Sequence, residues 1–219
     1  MINLYNKDCM EALKEFKDNQ FDLAIVDPPY GIDHANKAGK MAGQKYGNAA
    51  AKKRNYEAKD WDTEIPSLEY FNELQRVSKN QIIWGGNYFA HLLKPKSGWV
   101  FWDKDNGDNN FSDGELAWTS FNCGLRMKKV TWNGMIQYDM KNKEDRFHPT
   151  QKPIRLYEWL LMNYTKEGDK ILDTHLGSGS IAIACDNLGY DLEGYELDKE
   201  YFEAASKRLK QHQQQIKMF

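Results

Sequence analysis

Four consecutive residues could bind and activate an aromatic amine. Residues 27–30 read Asp-Pro-Pro-Tyr and follow the apolar run Phe21–Val26, which predicts a buried parallel strand. Because two prolines cannot continue a hydrogen-bonded ladder, the strand must end there and present Asp27 at its carboxyl edge. The Asp27 carboxylate and the Pro28 carbonyl can accept hydrogen bonds from both amine hydrogens, which frees the nitrogen lone pair, and Tyr30 can stack on an extruded base. A turn with a capping Asp and a core Tyr is the alternative interpretation.

A glycine-rich turn is the second candidate site. The predicted strand Lys170–Asp173 is followed by a turn with glycines at 177 and 179, and then by a helix. Backbone N–H groups and positions without side chains let a ligand approach closely in such a turn. Glu196 ends the next predicted strand, where a carboxylate can accept hydrogen bonds from ribose hydroxyls. The spacing is not G-x-G-x-x-G, so the pattern predicts a nucleoside of unspecified kind, and a purely structural turn is the alternative.

The elements that must position these residues alternate between strand and helix at both ends of the chain. Helical spacing of apolar residues is found at Asp8–Phe16, Ser67–Val77, Ile154–Tyr164, Ile181–Leu188 and Lys199 to about Gln214. Strands are predicted at Ile2–Tyr5, Phe21–Val26, Gln81–Trp84, Trp99–Trp102, Lys170–Asp173 and Asp191–Glu196, with an antiparallel part near residues 115–121 and 127–132. Alternation of this kind predicts an α/β fold with a doubly wound, mostly parallel sheet in a single domain, residues 1–219, with both sites at the carboxyl ends of strands.

Composition narrows the class of protein further. The net charge is −2, and no run of 18 apolar residues or signal-peptide layout occurs, so we expect a cytoplasmic protein in a bacterial or phage-infected cell. Three widely spaced cysteines predict neither a disulfide framework nor a zinc site, and no metal is expected. Basic residues cluster at 34–56 (six basic, no acidic) and at 126–155 (eight basic, three acidic). Such patches can hold phosphates, or they can be solvated surface.

Taken together, the motifs resemble those of the amino-group DNA methyltransferases. D-P-P-Y followed far downstream by D-x-x-x-G-x-G is the order of the family's beta class, in which the catalytic motif precedes the cofactor motif as though the sheet were circularly permuted. Residues 148–153 (His-Pro-Thr-Gln-Lys-Pro) are similar to the family's H-P-T-x-K-P element, and residues 6–9 (Asn-Lys-Asp-Cys) resemble its G-D-C or N-x-D element. The resemblance covers roughly residues 2–30 and 147–209.

This resemblance implies a Rossmann-like methyltransferase domain with a mixed seven-stranded sheet, and S-adenosylmethionine as cofactor. The implied reaction is methyl transfer to the N6 amine of an adenine flipped out of double-stranded DNA. The implied catalytic residues are Asp27, Pro28, Pro29 and Tyr30. The implied cofactor residues are Asp8, Cys9, Asp27, Thr150, Gln151, Lys152, Asp173, Thr174, His175, Gly177, Ser178, Gly179, Ser180, Glu196 and Leu197. Among these, the Asp8 carboxylate would contact the cofactor adenine, while Lys152 would offer a cation, and Thr150 a hydroxyl, to the methionine part.

One motif departs from the family pattern. The family usually has D-P-F after the cofactor strand, whereas this chain has Asp173-Thr174-His175, so His175 would hydrogen-bond where a Phe would pack, or would be a structural histidine. Residues 31–62 are predicted to form a mobile basic loop and residues 104–147 a small target-recognition insert. The expected DNA contacts are Lys52, Lys53, Arg54, Lys128, Lys129 and Arg146.

Other functions remain open at this point. N4-cytosine methylation uses the same fold, but those enzymes more often carry Ser at the first motif position, which favours adenine here. Methylation of RNA or of protein glutamine is more often associated with N-P-P-Y. A non-catalytic DNA-binding module is the alternative that is not an enzyme. The sequence leaves the target motif open, and also whether the protein is a monomer or a homodimer.

Overall fold

A central sheet positions both candidate sites. The structure is a computed structural model that describes residues 1–33, 62–107, 112–133 and 136–216. In the described residues the sheet consists of β1 (Ile2–Tyr5), β2 (Phe21–Val26), β3 (Ser78–Trp84), β4 (Trp99–Asp103), β5 (Gly114–Thr119), β6 (Arg126–Lys129), β9 (Lys170–Asp173) and β10 (Asp191–Tyr195). Two further short strands, β7 (Trp132–Asn133) and β8 (Ile136–Gln137), form a separate antiparallel pair.

The strand order confirms a mixed, mostly parallel sheet. The order is β1-β10-β9-β2-β3-β5-β4-β6, and β5 alone runs antiparallel to its neighbours in this sheet as described. The sheet has eight strands rather than the expected seven. The expectation that residues 127–132 are antiparallel was wrong for β6, which pairs in parallel with β4. The chain inserts β5 between β3 and β4 and then returns on the free side of β4, so β6 runs in the same direction as β4.

Helices cover both faces of this sheet, as a doubly wound fold requires. The described helices are α1 (Cys9–Glu15), α2 (Leu68–Val77), α3 (Ile154–Tyr164), α4 (Ser180–Leu188) and α5 (Lys199–Ile216). Buried side chains of α1 and α2, such as Leu13 and Phe71, pack in one apolar cluster. Those of α3, α4 and α5, such as Leu160, Ile183 and Leu209, pack in the other. No described helix is long and apolar enough to cross a membrane.

Strand pairing between chain-distant segments brings the two motifs to one edge. β2 and β9 are parallel neighbours, with Leu23 opposite Ile171 and Ala24 opposite Leu172. Continuing that register places Asp27 beside the turn that follows β9. β1 pairs with β10 in the same way, Tyr5 opposite Tyr195, so the residues after each strand meet at this carboxyl edge. The expectation that both sites share one edge is confirmed.

Two segments differ from what the sequence predicted. Residues 104–147 were expected to form an insert, but β5 and β6 within them belong to the main sheet, so this range is too wide. The predicted mobile loop 31–62 lies outside the described residues except at its ends. There Asp33 N–H donates to the Asp62 carbonyl (2.9 Å), and the Asp62 carboxylate accepts from the backbone N–H groups of Tyr30 (2.7 Å) and Gly31 (3.1 Å). Asp62 therefore fixes the backbone directly after the D-P-P motif.

Candidate functional site

A cavity of about 760 Å³ opens at the carboxyl edge of the sheet, within the size range of ligand pockets. Its lining includes twelve residues predicted to bind the cofactor: Asp8, Cys9, Asp27, Thr150, Gln151, Lys152, Thr174, His175, Gly177, Ser178, Glu196 and Leu197. Pro29 also lines it. Asp173, Gly179 and Ser180 are not among the lining residues, and neither are Pro28 and Tyr30. Lining residues that the sequence analysis did not include are His148, Tyr157, Leu176, Asp198, Lys199, Glu200 and Tyr201.

The glycine turn shapes the floor of this cavity. Gly177 and Gly179 have φ of +51° and +68°, a backbone conformation that strains other residues. A side chain at 179 would also meet the Cβ of Ala205 at 3.0 Å, so the glycine allows α5 to pack closely on the turn. The Gly177 N–H donates to the Glu196 carboxylate (2.8 Å), whose other oxygen accepts from the Asp198 N–H (2.9 Å). Each carboxylate oxygen retains a second lone pair, so Glu196 can still accept from a ribose.

The loop after β1 closes one end of the cavity. The Asp8 carboxylate caps α1 by accepting from the Met10 (2.7 Å) and Glu11 (3.2 Å) N–H groups. The Asn6 amide donates to the carbonyls of Glu196 and Leu197, which joins this loop to the end of β10. Burial raises the pKa of the Cys9 thiol to about 12, so Cys9 is a neutral wall residue and not a nucleophile.

Three successive residues after β9 form a connected group. The Asp173 carboxylate accepts from the His175 N–H (3.0 Å), and burial raises the Asp173 pKa to about 8. The Thr174 hydroxyl lies 2.9 Å from His175 Nδ1 and 2.7 Å from the hydroxyl of Tyr70, a residue of α2 that the sequence analysis did not single out. Burial lowers the His175 pKa to about 4, so the imidazole is neutral at pH 7.

A buried group of charges surrounds Asp27. Its carboxylate accepts from the Tyr30 hydroxyl (2.6 Å) and pairs with the Lys152 ammonium (2.5 Å). Lys152 also pairs with Glu115 (3.0 Å), and Glu115 in turn pairs with Lys104 (2.5 Å). Burial raises the pKa of Asp27, whereas the two adjacent carboxylates keep the pKa of Lys152 above its usual value despite burial. Against the effect of burial, the Lys152 and Lys104 ammonium groups lower the Glu115 pKa to about 2.

In this structure the partners of Lys152 differ from those that the resemblance implied. The resemblance implied that its cation binds the methionine part of the cofactor. The Lys152 side chain is only 1% exposed, and its ammonium lies between the Asp27 and Glu115 carboxylates. Two half-buried carboxylates attract the cation, and the surrounding protein limits the screening of this attraction by water. Glu115 was not predicted as a site residue, although the sequence contained an indication of its position. Because β5 was expected to be antiparallel, its first residues had to lie at the carboxyl edge of the other strands.

One face of the Tyr30 ring is occupied by another aromatic ring. Its ring stacks on Tyr88, with centroids 4.9 Å apart and an interplanar angle of 16°. Gly85 has φ of +69°, and a Cβ there would lie 2.2 Å from the Tyr30 ring, so only glycine leaves room for it. Tyr30 is therefore packed inside the protein with its hydroxyl on Asp27, while Tyr88 is 41% exposed.

The H-P-T-Q-K-P segment forms another side of the cavity. The Thr150 hydroxyl lies 3.1 Å from His148 Nδ1. The Gln151 side chain accepts from the Phe147 N–H (3.2 Å) and donates to the Asp145 carbonyl (3.0 Å), so it shapes this segment. Ser178 and Ser180 share a hydrogen bond (3.0 Å) behind the glycine turn.

Three of the six expected DNA contacts lie in the described residues. Lys128 and Lys129 lie on the edge strand β6, where the Lys128 ammonium is 5.8 Å from the Trp159 ring centroid and Lys129 pairs with Asp105 (2.8 Å). The Arg146 guanidinium lies 3.8 Å from the Trp132 ring centroid. Lys52, Lys53 and Arg54 lie outside the described residues.

Fold and site together define an α/β protein with a cavity at the carboxyl edge of its sheet, lined by the glycine turn and by Asp27. Comparison with protein families matches residues 83–207, more than half of the chain, to the N6/N4 DNA methylases. The chain belongs to this DNA methylase family and is a DNA methyltransferase.

Curated relatives match along nearly the whole chain. The Type II methyltransferase M2.DpnII of Streptococcus pneumoniae is 27% identical over 94% of this chain and 88% of its own length. M.HpaI of Haemophilus parainfluenzae is 27% identical over 92% of this chain and 72% of its own.

Solved structures share the fold. The M1.HpyAVI–SAM complex superposes with a TM-score of 0.58 at 22% identity, covering 95% of this chain and all of that one. The cytosine-N4-specific PvuII DNA methyltransferase has a TM-score of 0.60 at 12% identity over 96% and 90% of the two chains. The predicted Rossmann-like methyltransferase fold is thereby confirmed. S-adenosylmethionine is the cofactor, and the size of the cavity, its glycine turn and Glu196 at the end of β10 fit a nucleoside of this kind.

Proposed function

We propose that the protein methylates the exocyclic N6 amine of an adenine flipped out of double-stranded DNA. The observation that carries this proposal is the position of Asp27 and Pro29 in the wall of the cavity that the glycine turn builds. An amine held at Asp27 would lie beside the cofactor, and such proximity supplies a large part of the rate in group transfer. S-adenosylmethionine supplies an electrophilic methyl group when bound.

The placement of the cofactor residues follows from the strand order. Glu196, after β10, would accept from the ribose hydroxyls, and Asp8, after the neighbouring β1, would face the adenine. The glycine turn after β9 lies between these residues and Asp27, after β2. A cofactor lying along this edge would have its nucleoside toward β10 and its methyl group toward Asp27.

The amine would be held by the Asp27 carboxylate and the Pro28 carbonyl. Asp27 has about four lone-pair positions, so the contacts with Tyr30 and Lys152 leave acceptors for an amine hydrogen. The Lys152 ammonium favours the ionised form of Asp27, and this form is the better acceptor. Glu115 and Lys104 hold that ammonium in place from the other side. The proton released from the methylated amine can pass to Asp27 or to water.

Contacts with duplex DNA would come from basic residues, one of which lies at the same edge as Asp27. β6 runs parallel to β4, so the end of β6 that carries Lys129 lies on the side of the sheet that carries Asp27. Lys128, Lys129 and Arg146, together with Lys52, Lys53 and Arg54, are the proposed phosphate and base contacts. Phosphate contacts of this kind make affinity fall as salt concentration rises.

The choice of adenine rests on Asp at the first motif position. N4-cytosine enzymes of similar fold more often have Ser there, so N4-cytosine methylation is the alternative. RNA and protein-glutamine methylation have less support, because the chain belongs to a DNA methylase family.

The decisive experiment is methyl transfer from labelled S-adenosylmethionine to duplex DNA, followed by digestion to nucleosides and mass spectrometry. We expect N6-methyldeoxyadenosine and no N4-methyldeoxycytidine. The cytosine product would replace the adenine proposal with its alternative. Absence of label in DNA of varied sequence would contradict the proposed activity.

A further inference from the structure

A chain of three hydrogen-bonding side chains ends at the wall of the cofactor cavity. It runs from the Tyr70 hydroxyl on α2 to the Thr174 hydroxyl (2.7 Å) and on to His175 Nδ1 (2.9 Å). Tyr70 is 2% exposed and Thr174 is 3% exposed, so water is largely excluded from both. Neither Tyr70 nor Thr174 fulfils a role in the amine-binding motif, and His175 replaces the Phe of the usual D-P-F element.

The numbers of donors and acceptors favour one direction of hydrogen-bond donation along these three side chains. In the described residues Thr174 is the sole side-chain partner recorded for the Tyr70 hydroxyl. If His175 Nδ1 carried the proton, it would donate to Thr174, and either the Tyr70 or the Thr174 hydroxyl hydrogen would be left buried without an acceptor. A buried donor without an acceptor is unfavourable, because it has lost its hydrogen bonds to water and gained none in the protein. The arrangement without such a donor has Tyr70 donating to Thr174 and Thr174 donating to Nδ1.

This direction of donation determines whether the other ring nitrogen of His175, Nε2, carries a proton. A neutral imidazole that accepts at Nδ1 must carry its proton at Nε2. His175 lines the cavity, and its Nε2 has no hydrogen-bond partner recorded in the described part of the chain. The wall therefore presents an uncharged N–H donor where the family usually has a phenyl ring.

The position of the His175 N–H indicates which part of the cofactor it would contact, the nucleoside or the amino acid carboxylate. His175 follows β9, between Glu196 after β10 and Asp27 after β2. The Lys152 ammonium, which could otherwise bind a carboxylate, is held by Asp27 and Glu115. The cation Lys199 lies beyond β10, on the nucleoside side.

We propose that Tyr70 and Thr174 are positioning residues that fix His175 as the Nε2–H tautomer, so that His175 donates a hydrogen bond to the carboxylate of the cofactor. This inference rests on the proposed placement of the cofactor. It gives the D-T-H sequence a defined role, namely to supply a neutral hydrogen-bond donor to the cofactor carboxylate.

The tautomer can be measured in the ligand-free protein. With ¹⁵N-histidine labelling, long-range ¹H–¹⁵N correlation spectra distinguish a protonated ring nitrogen from an unprotonated one. We expect His175 to carry its proton at Nε2 in the wild type and in Thr174→Ser, which keeps the hydroxyl. Thr174→Val, which removes the donor to Nδ1, should shift the equilibrium toward Nδ1–H. Tyr70→Phe should shift it less, because the Thr174 hydroxyl can still donate to Nδ1. A wild-type spectrum of the Nδ1–H form would overturn the inference.

Binding of two unreactive ligands tests the carboxylate contact. S-adenosyl-L-homocysteine has the amino acid carboxylate, and 5′-methylthioadenosine lacks it. We expect His175→Phe to weaken the first ligand by about 10-fold or more and to leave the second nearly unchanged. His175→Gln, which keeps an N–H near the Nε2 position, should restore most of the affinity, and Tyr70→Phe should give an intermediate loss.

Two results would contradict this assignment. Equal weakening of both ligands by His175→Phe would place the donor at the nucleoside, and a selective loss in Lys199→Met with none in His175→Phe would assign the carboxylate to Lys199. Thermal unfolding of each variant identifies any loss that is due to misfolding. Neither measurement involves DNA, so failure of the proposed adenine methylation would leave both results interpretable.

Discussion

At the scale of single residues, the charge state of Asp27 depends on neighbours from other parts of the chain. Lys152 precedes α3 and Glu115 lies near the start of β5, yet the Lys152 ammonium pairs with both Asp27 (2.5 Å) and Glu115 (3.0 Å). Removing one partner of a buried ion pair leaves the other uncompensated, which is usually more harmful than lacking the pair. Asp27 can be changed with less risk, because Lys152 would retain Glu115.

The first prediction concerns Asp27→Asn. The substitution preserves shape and one acceptor oxygen but removes the charge that accepts from the amine. We expect the rate of methyl transfer to fall by about 10²–10³-fold, with S-adenosyl-L-homocysteine affinity changed only a few-fold. Single-turnover transfer and calorimetric binding measure the two effects.

Asp22→Asn is the matched control for this experiment. Asp22 lies near the amino end of the same strand and pairs with Lys79, at the edge of the sheet opposite the cavity. Its substitution should leave transfer unchanged. Full transfer activity in Asp27→Asn would contradict the proposed role of the carboxylate.

The second prediction is a pH dependence of stability from His175. Its pKa is about 4 in the folded protein and about 6.5 when unfolded, so the unfolded chain binds a proton first as pH falls. The stabilisation is therefore complete above pH 6.5 and is lost as pH falls toward 4. Because the ring lines an open cavity, solvent screening limits the effect to roughly 1–2 kcal/mol.

Urea unfolding at pH 7.5 and 4.5 measures this contribution. Wild type should lose roughly 1–2 kcal/mol more than His175→Gln over this interval, since the other titrating groups are common to both proteins. Equal losses in the two proteins would show that His175 is not held neutral by burial.

At the scale of elements, much of the site could be predicted from the sequence because parallel strands present the residues at their carboxyl ends along one edge of the sheet. A run such as Phe21–Val26 that stops at two prolines specifies a strand, its end and the residue presented there. Contacts between side chains across the sheet could not be predicted in this way, because the number of residues between two such partners follows no periodic pattern. The contacts of Lys152 with Glu115, and of Thr174 with Tyr70, depend on which elements become neighbours in the tertiary fold.

The third prediction tests how β3 and the D-P-P-Y motif fit together. Gly85→Ala would place a methyl group 2.2 Å from the Tyr30 ring and must displace it. Since Tyr30 donates to Asp27, we expect transfer to fall by about 10²-fold with cofactor affinity little changed. Kinetic measurement of transfer at saturating cofactor checks this.

Gly189→Ala provides the control for backbone strain. Gly189 has φ of +76° at the end of α4, and a Cβ there would meet nothing within 4 Å. Both variants should lose about 1 kcal/mol of stability from the left-handed conformation, but Gly189→Ala should retain activity. Equal activities of the two variants would argue against a role for the Tyr30 position.

At the scale of the whole molecule, one buried cation joins three distant segments. Arg208 on α5 pairs with Glu144 (2.7 Å) and donates to the Ser178 carbonyl (3.0 Å) and the Ser180 hydroxyl (2.9 Å). It thereby connects the last helix to the glycine turn and to the segment before α3. Burial raises the pKa of Glu144 and lowers that of Arg208, as expected for an ion pair held away from water.

The fourth prediction follows from this connection. Arg208→Met leaves Glu144 without its cation and should destabilise the protein by about 3–5 kcal/mol, which lowers Tm by roughly 6–20 °C. Glu144→Gln should be milder, and the double variant should be more stable than the sum of the two single effects predicts. Thermal unfolding measures all three, and additive effects would show that the residues do not interact.

The pairing of β2 with β9 has a consequence for biosynthesis. Asp27 leaves the ribosome long before Asp173, and at about 5–20 residues per second the interval between them is roughly 7–30 s. During that time the nascent chain carries the D-P-P-Y motif without the strand that pairs with β2 and without the glycine turn. The cofactor cavity can therefore be completed only late in translation.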